Sequence, residues 1–156
     1  MSSGGYAYSD LKLPEKIELS TEFFVQYATP YNITTGTDAN GDGNFNDRPS
    51  YASAPGAGVY STHYGLLTAN TVNGDVPRNL GTMPAVLHSY MDLSRVFQLN
   101  PKNTEHPRTL TLNARSANLL NHTNVTAVET VLSPTLGQPL TAEAARRIEL
   151  GVRFAF

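Results

Sequence analysis

A chain of 156 residues is long enough for one domain with a sizeable core. Its formal net charge of −2 leaves no basic footprint for nucleic acid, and the absence of cysteine removes disulfides, thiolate metal sites and thiol catalysis. Only 15% of residues are charged, while 12 Gly, 10 Pro, 8 Tyr and 6 Phe favour strands and turns over helices, so the chain reads as all-β.

No run of about 18 apolar residues is available for a transmembrane helix. The opening MSSGGYAYSD has neither a basic stretch nor an apolar stretch, so no signal peptide is read there.

In chain order, residues 6–13 form a first strand, joined by a short turn at Pro14 and Glu15 to a second strand over 17–28. That second strand places Ile17, Leu19, Phe23, Val25 and Tyr27 on one face and Glu18, Ser20, Glu22 and Gln26 on the other, with Thr21 and Phe24 breaking the pattern. A long connection, 29–84, follows. Within it DANGDGNFND sets Asp38, Asn40, Asp42, Asn44 and Asp47 around the Gly43 turn. Oxygen side chains at alternate positions about a glycine are how a calcium loop begins to wrap a hard cation, so calcium is the expected ligand. Pro49 stands where an EF-hand has its bidentate Glu and no flanking helix pattern is visible, which rules out that motif.

The third strand, 87–99, puts Leu87, Met91, Leu93, Phe97 and Leu99 against His88, Tyr90, Asp92, Ser94 and Gln98, with Arg95 the exception on the apolar side. A short connection at 100–107 leads to the fourth strand, 108–118, in which Leu110, Leu112 and Ala114 alternate with Thr109, Thr111, Asn113 and Arg115. A second long connection, 119–145, precedes the last strand, RRIELGVRFAF at 146–156. There Ile148, Leu150, Val152, Phe154 and Phe156 alternate with Arg147, Glu149, Gly151, Arg153 and Ala155. One wholly apolar face and one polar face is the pattern of a membrane barrel strand, and the strands have the length a tilted span requires. The connections alternate short, long, short, long, as turns and outer loops do in such barrels.

The runs PYNITTGTDANGDGNFNDRPSY at 30–51, VPRNLG at 76–81, SYMDLSRVFQL at 89–99, LTLNARSANLLNHTNV at 110–125 and the closing ARRIELGVRFAF together resemble the C-terminal end of TonB-dependent, Oar-like outer-membrane barrels. The spacing of Glu149, Gly151, Phe154 and Phe156 resembles the C-terminal signal such barrels present to their assembly machinery. The resemblance implies a barrel of about 22 strands, with a plug and a TonB box, importing substrates across the outer membrane. Neither plug nor TonB box is read in this sequence, and four or five strands do not close a barrel.

The expectation is therefore an antiparallel up-and-down meander of four or five long strands with long loops on one side. It is a single barrel-like β domain over 1–156, a partial β-barrel completed by other copies. An open sheet with one apolar face leaves two unpaired edges and a greasy surface, and even the smallest barrels need about eight strands. Copies joined head to tail through their edge strands would give an oligomeric barrel, a tube or an extracellular filament. Arg147, Glu149 and Arg153 would then face Glu18 and Glu22 of the adjacent copy. Replacing Phe154 and Phe156 by Ser should remove about 1.5–3 kcal/mol of apolar burial per side chain and abolish assembly.

The alternative is a C-terminal fragment of a TonB-dependent transporter, and the third reading is a soluble β-sandwich that binds carbohydrate or protein with its loops. Tyr31, Phe45, Tyr51, Tyr60 and Tyr64 either stack on sugars or pack the loops down. No enzyme is expected. His63, His88, His106 and His122 are scattered, and the row His88, Tyr90, Asp92, Ser94 is the wet face of a strand. Asn32, Asn121 and Asn124 stand in N-x-[ST] sequons, which are candidate glycan sites if the export route supports that chemistry. The expected location is extracellular or in a bacterial outer membrane, with partners limited to copies of the chain and lipid.

Overall fold

The computed structural model describes residues 3–70, 72–102 and 107–156, so His106 and part of the 100–107 connection lie outside the described residues. The chain is all-β. Its strands in order are β1 (Gly4–Leu13), β2 (Ile17–Gln26), β3 (Pro30–Tyr31), β4 (Ser50–Tyr51), β5 (Val59–Thr62), β6 (Gly65–Thr68) and β7 (Gly81–Thr82), then β8 (Val86–Gln98), β9 (Thr109–Ala117), β10 (Val125–Val128), β11 (Pro139–Ala142) and β12 (Arg147–Ala155).

Where the sequence suggests a single domain, the chain forms two compact units. The first comprises residues 1–27, 86–124 and 143–156 and holds a five-stranded sheet of order β1-β2-β8-β9-β12. Every neighbouring pair is antiparallel, so the sheet is the expected meander. The turn between β1 and β2 is tight. Pro14 fixes one dihedral, and Glu15 and Lys16 both take the left-handed conformation at φ 61° and 57°, which brings Leu13 opposite Ile17.

The second unit comprises 28–85 and 125–142, the greater part of the two long connections. It is built from three small sheets, β3-β7, β4-β6-β5 and β10-β11. Ile33, Leu67, Val76 and Leu132 form its buried cluster, with Tyr31, Tyr60, Tyr64, Leu80 and Leu136 packed around them. The two stretches of chain are tied by a bridge between Thr34 and Val131, where Thr34 N donates to Thr130 O at 3.0 Å and Leu132 N to Thr34 O at 2.8 Å. Gly74 lies so close to the backbone of Arg48 and Pro49 that a Cβ there would stand 1.8 Å from the Arg48 carbonyl oxygen. Only glycine fits that approach.

The distribution of burial reverses the usual order of strands and loops. Among the described residues of the first unit only Ser89, Ser116 and Asn124 are buried, and none of them is apolar. The hydrophobic core belongs to the connections, and the long strands have none.

Candidate functional site: the faces and edges of the sheet

Because opposed residues in an antiparallel pair share a face, the register sorts every side chain of the sheet. One side carries the rows Leu11, Leu19, Leu93, Ala114, Leu150 and Leu13, Ile17, Arg95, Leu112, Val152, with Phe97, Leu110 and Phe154 beyond them. The other carries Tyr8, Glu22, Tyr90, Ala117, Arg147, then Asp10, Ser20, Asp92, Arg115, Glu149, then Lys12, Glu18, Ser94, Asn113, Gly151. The alternation that β2, β8, β9 and β12 show alone is thus in phase across the sheet, and the Leu11 and Leu13 end of β1 continues it. Phe24 and Thr21, which break the pattern in sequence, sit on the polar and apolar faces respectively, opposite His88 and Met91.

The apolar face lies open. Leu150 is 81% exposed, Val152 72% and Phe156 93%, and Leu11, Leu13, Leu93 and Leu112 are exposed as well. A shallow groove of about 380 Å³ runs between Ile17, Leu93, Leu112, Leu150 and Val152. Arg95, the cation on this face, carries its guanidinium 4.6 Å from the centre of the Phe97 ring and pairs with Glu15 in the β1–β2 turn. The charge is carried to the sheet end while its stem covers apolar surface.

The polar face has its own charge network. Arg115 Nε donates to Asp92 Oδ2 at 2.5 Å, and Arg147 Nε lies 3.0 Å from Glu149 Oε1. A hollow of about 530 Å³ is bordered by Tyr6, Tyr8, Asp10, Glu22, Asp92 and Arg115. His88 pairs with Glu143 at 2.9 Å, and its ring centre lies 6.0 Å from that of Phe24 and 6.4 Å from that of Tyr90.

Both edges are strands with no neighbour on their outer side, β1 and β12. Glu18 and Glu22 belong to β2, an inner strand flanked by β1 and β8, so a pairing with Arg147, Glu149 and Arg153 of an adjacent copy across an edge is not available to them. On β12 the residues singled out in sequence fall as their alternation requires. Phe154 and Phe156 project together with ring centres 5.7 Å apart, and Glu149 and Gly151 take the opposite face. Gly151 has a specific neighbour, since a Cβ there would stand 2.1 Å from Asn113 Oδ1. The Asn113 side chain occupies the space that a larger residue would need.

In the second unit, the acidic loop closes on itself. Asp38 accepts hydrogen bonds from the amides of Gly41, Asp42 and Gly43 at 2.8, 3.0 and 2.9 Å. Asp42 Oδ1 accepts from Asn44 N at 2.8 Å, and Asn40 Oδ1 from Asp42 N at 2.9 Å. Asp47 is buried, and its carboxylate accepts from Ala39 N at 2.6 Å and from Asn40 N and Nδ2 at 3.2 and 3.0 Å. The five residues do gather in one loop, but among the described residues no group of three or more His, Asp or Glu is placed to hold a metal ion. Asp47→Ala strips three donors of a charged acceptor and should cost about 2–3 kcal/mol, read as new proteolytic cleavage within 38–47.

Of the sequons, Asn32 and Asn121 are exposed, whereas Asn124 is 2% exposed and serves as a clamp. Its Oδ1 accepts from Leu87 N at 2.8 Å, and its Nδ2 donates to Leu87 O at 3.0 Å and to Glu143 Oε2 at 3.2 Å. The side chain thus imitates a strand edge against the start of β8. A glycan on that Nδ2 is not accommodated in the folded chain. Asn124→Ala should cost about 2 kcal/mol locally and speed exchange of the Leu87 amide by roughly 30-fold. No signal in the sequence separates this asparagine from the two exposed ones.

Of the loop aromatics, Tyr31, Tyr60 and Tyr64 pack against the core and Phe45 and Tyr51 are exposed. Burial, reinforced by the neighbouring Tyr64 hydroxyl, pushes the Tyr31 phenol well above the ordinary tyrosine range. Tyr31 therefore stays neutral at any physiological pH and acts as a packing residue.

No protein family model matches the chain, and no curated protein and no solved structure proved similar to it.

Proposed function

We propose that the chain is a structural wall element of an outer-membrane type β-barrel, with the apolar face of its sheet against lipid and its edges, β1 and β12, completed by strands of further copies. The observation that carries this reading is the in-phase apolar face, exposed from β1 to β12 with no buried apolar side chain beneath it among the described residues. Water is a poor solvent for such a face and a bilayer is a good one. A soluble β-sandwich would have to bury it.

The cysteine-free chain permits a direct test. Single cysteines are placed in turn at positions 147 to 150 and 152 to 154, leaving Gly151 in place because Asn113 fills the space beside it, and the chain is incorporated into phospholipid vesicles. A water-soluble maleimide is expected to react at 147, 149 and 153 and to spare 148, 150, 152 and 154. Equal reaction at all seven positions overturns the reading.

A second reading, the end segment of a larger barrel of the TonB-dependent transporter type, is favoured by one feature of the topology. Five successive antiparallel strands leave β1 and β12 running in the same direction. A head-to-tail ring of copies would have to join β12 to β1 in parallel, whereas a longer chain that supplies an odd number of further strands closes antiparallel on both sides. Negative-stain images of the protein in detergent-free buffer separate the two. Filaments or uniform particles larger than one chain support copies, and protein recovered only in detergent as single chains supports the transporter segment.

Calcium at Asp38, Asn40, Asp42, Asn44 and Asp47 is a separate proposal. It predicts that chelator exposes the 38–47 loop to protease and that added calcium protects it. Identical cleavage in both conditions overturns it.

A further inference from the structure

We infer that β12 pairs with β12 of a second copy, antiparallel about a two-fold axis through Gly151, and that this seam, not a head-to-tail one, joins the subunits. The inference rests on the reading that copies complete one another and specifies the strand and register they use.

Direction sets the simplest alternative apart. Since β1 and β12 run the same way, a rotation that builds a head-to-tail ring joins β12 of one copy to β1 of the next in parallel, unlike every pair within the sheet. An isologous seam, in which a strand meets its own copy, is antiparallel by symmetry. Two such seams are conceivable, one at β1 and one at β12.

The lengths of the strands distinguish them. Opposed residues in an antiparallel pair must share a face. β12 has nine residues, so full overlap with its copy centres on Gly151 and opposes odd positions to odd and even to even. Polar then meets polar and apolar meets apolar along the entire strand. β1 has ten residues, and full overlap would set Lys12 opposite Gly5 and Leu11 opposite Tyr6, which belong to opposite faces of the sheet. β12 matches faces over its full length, whereas β1 does so over nine residues centred on Ser9, a register that sets Lys12 opposite Tyr6 and Asp10 opposite Tyr8 and forms no charge pair.

Charge selects the same register independently. Centred on Gly151, Glu149 of each copy faces Arg153 of the other, two opposite-charge pairs flanking an axis where glycine places no side chain. On the apolar face Leu150 meets Val152 and Ile148 meets Phe154. A shift that centres the pair on Leu150 sets Arg147 against Arg153 twice, a like-charge contact at each end. A shift to Val152 leaves Glu149 opposite Ala155 and forms no charge pair. Within one chain Glu149 already meets Arg147 at 3.0 Å, while among the described residues Arg153 makes no ion pair. The second copy supplies its partner. The product is a continuous ten-stranded antiparallel sheet with an unbroken apolar face.

The test uses two charge reversals that fail separately and succeed together. In Glu149→Arg, both seam pairs become Arg against Arg; in Arg153→Glu, both become Glu against Glu. Each variant alone is expected to self-associate at least about tenfold more weakly than the wild type by sedimentation velocity, in the buffer in which the wild type assembles. An equimolar mixture restores complementary charges at both pairs, because each mixed seam then sets the two arginines of one variant against the two glutamates of the other. The mixture is expected to recover wild-type association, which a misfolded variant could not do. Variants that assemble like the wild type, or a mixture no tighter than its components, overturn the register while leaving assembly through another edge standing. A wild type that is monomeric at every concentration overturns the assembly reading and the seam with it.

Discussion

Leu150→Arg is expected to cost about 2–4 kcal/mol of folding stability in a bilayer, the range for a basic residue on the lipid side of a membrane strand near the midplane. Leu150 stands one residue from the centre of β12, at the end of the row Leu11, Leu19, Leu93, Ala114, and nothing in the chain covers it. In water the same change should be almost neutral, because an 81% exposed leucine gives up little burial when it is lost. The signature is therefore a difference between two solvents. Urea unfolding in vesicles is expected to shift to a lower midpoint while unfolding of the second unit in buffer stays unchanged. Equal midpoints for Leu150→Arg and wild type in vesicles would show that this face does not meet lipid.

The second large effect lies in the other unit. Leu67→Ala is expected to remove about 2–5 kcal/mol, since Leu67 is fully buried at the centre of the β4-β6-β5 sheet and packs with Ile33, Val76 and Leu132. That is a large fraction of the stability a unit of this size can hold. Far-ultraviolet circular dichroism followed against temperature should show the unit melting early or not folding at all. A shift of less than about 1 °C would mean that the cluster relaxes around the cavity or contributes little to the fold.

These two residues also mark the limits of what can be read from the chain. Leu150 belongs to a period-two pattern, a local signal that survives without any knowledge of its neighbours, and the faces of β2, β8, β9 and β12 follow from it. The pairings β1–β2 and β8–β9 follow too, because hairpins of short connection place successive strands side by side. β1 is harder to read, with Gly4, Gly5 and two tyrosines in place of a clean alternation. Leu67 carries no such local mark. Ile33, Leu67, Val76 and Leu132 come from four separate short stretches with no sustained alternation, and their convergence is a long-range event that periodicity does not encode. Asn124 shows the same limit in another form. Its three-residue context reads as a surface sequon, and only the arrival of Leu87 and Glu143 turns it into a buried clamp.

The interleaving of the two units has a consequence for how such a chain finds its shape. The core of the second unit closes only when 125–142 reaches 28–85, and between those stretches the chain runs through β8 and β9. Closing it therefore brings together the exit of β2, the entry of β8, the exit of β9 and the entry of β12. The entropy of bringing distant strand ends together is offset in part by that core, and the strands that pair are held as neighbours by it. In a chain without cysteine, this knot of loop residues does for strand order what a disulfide does for small secreted proteins: it shortens the search.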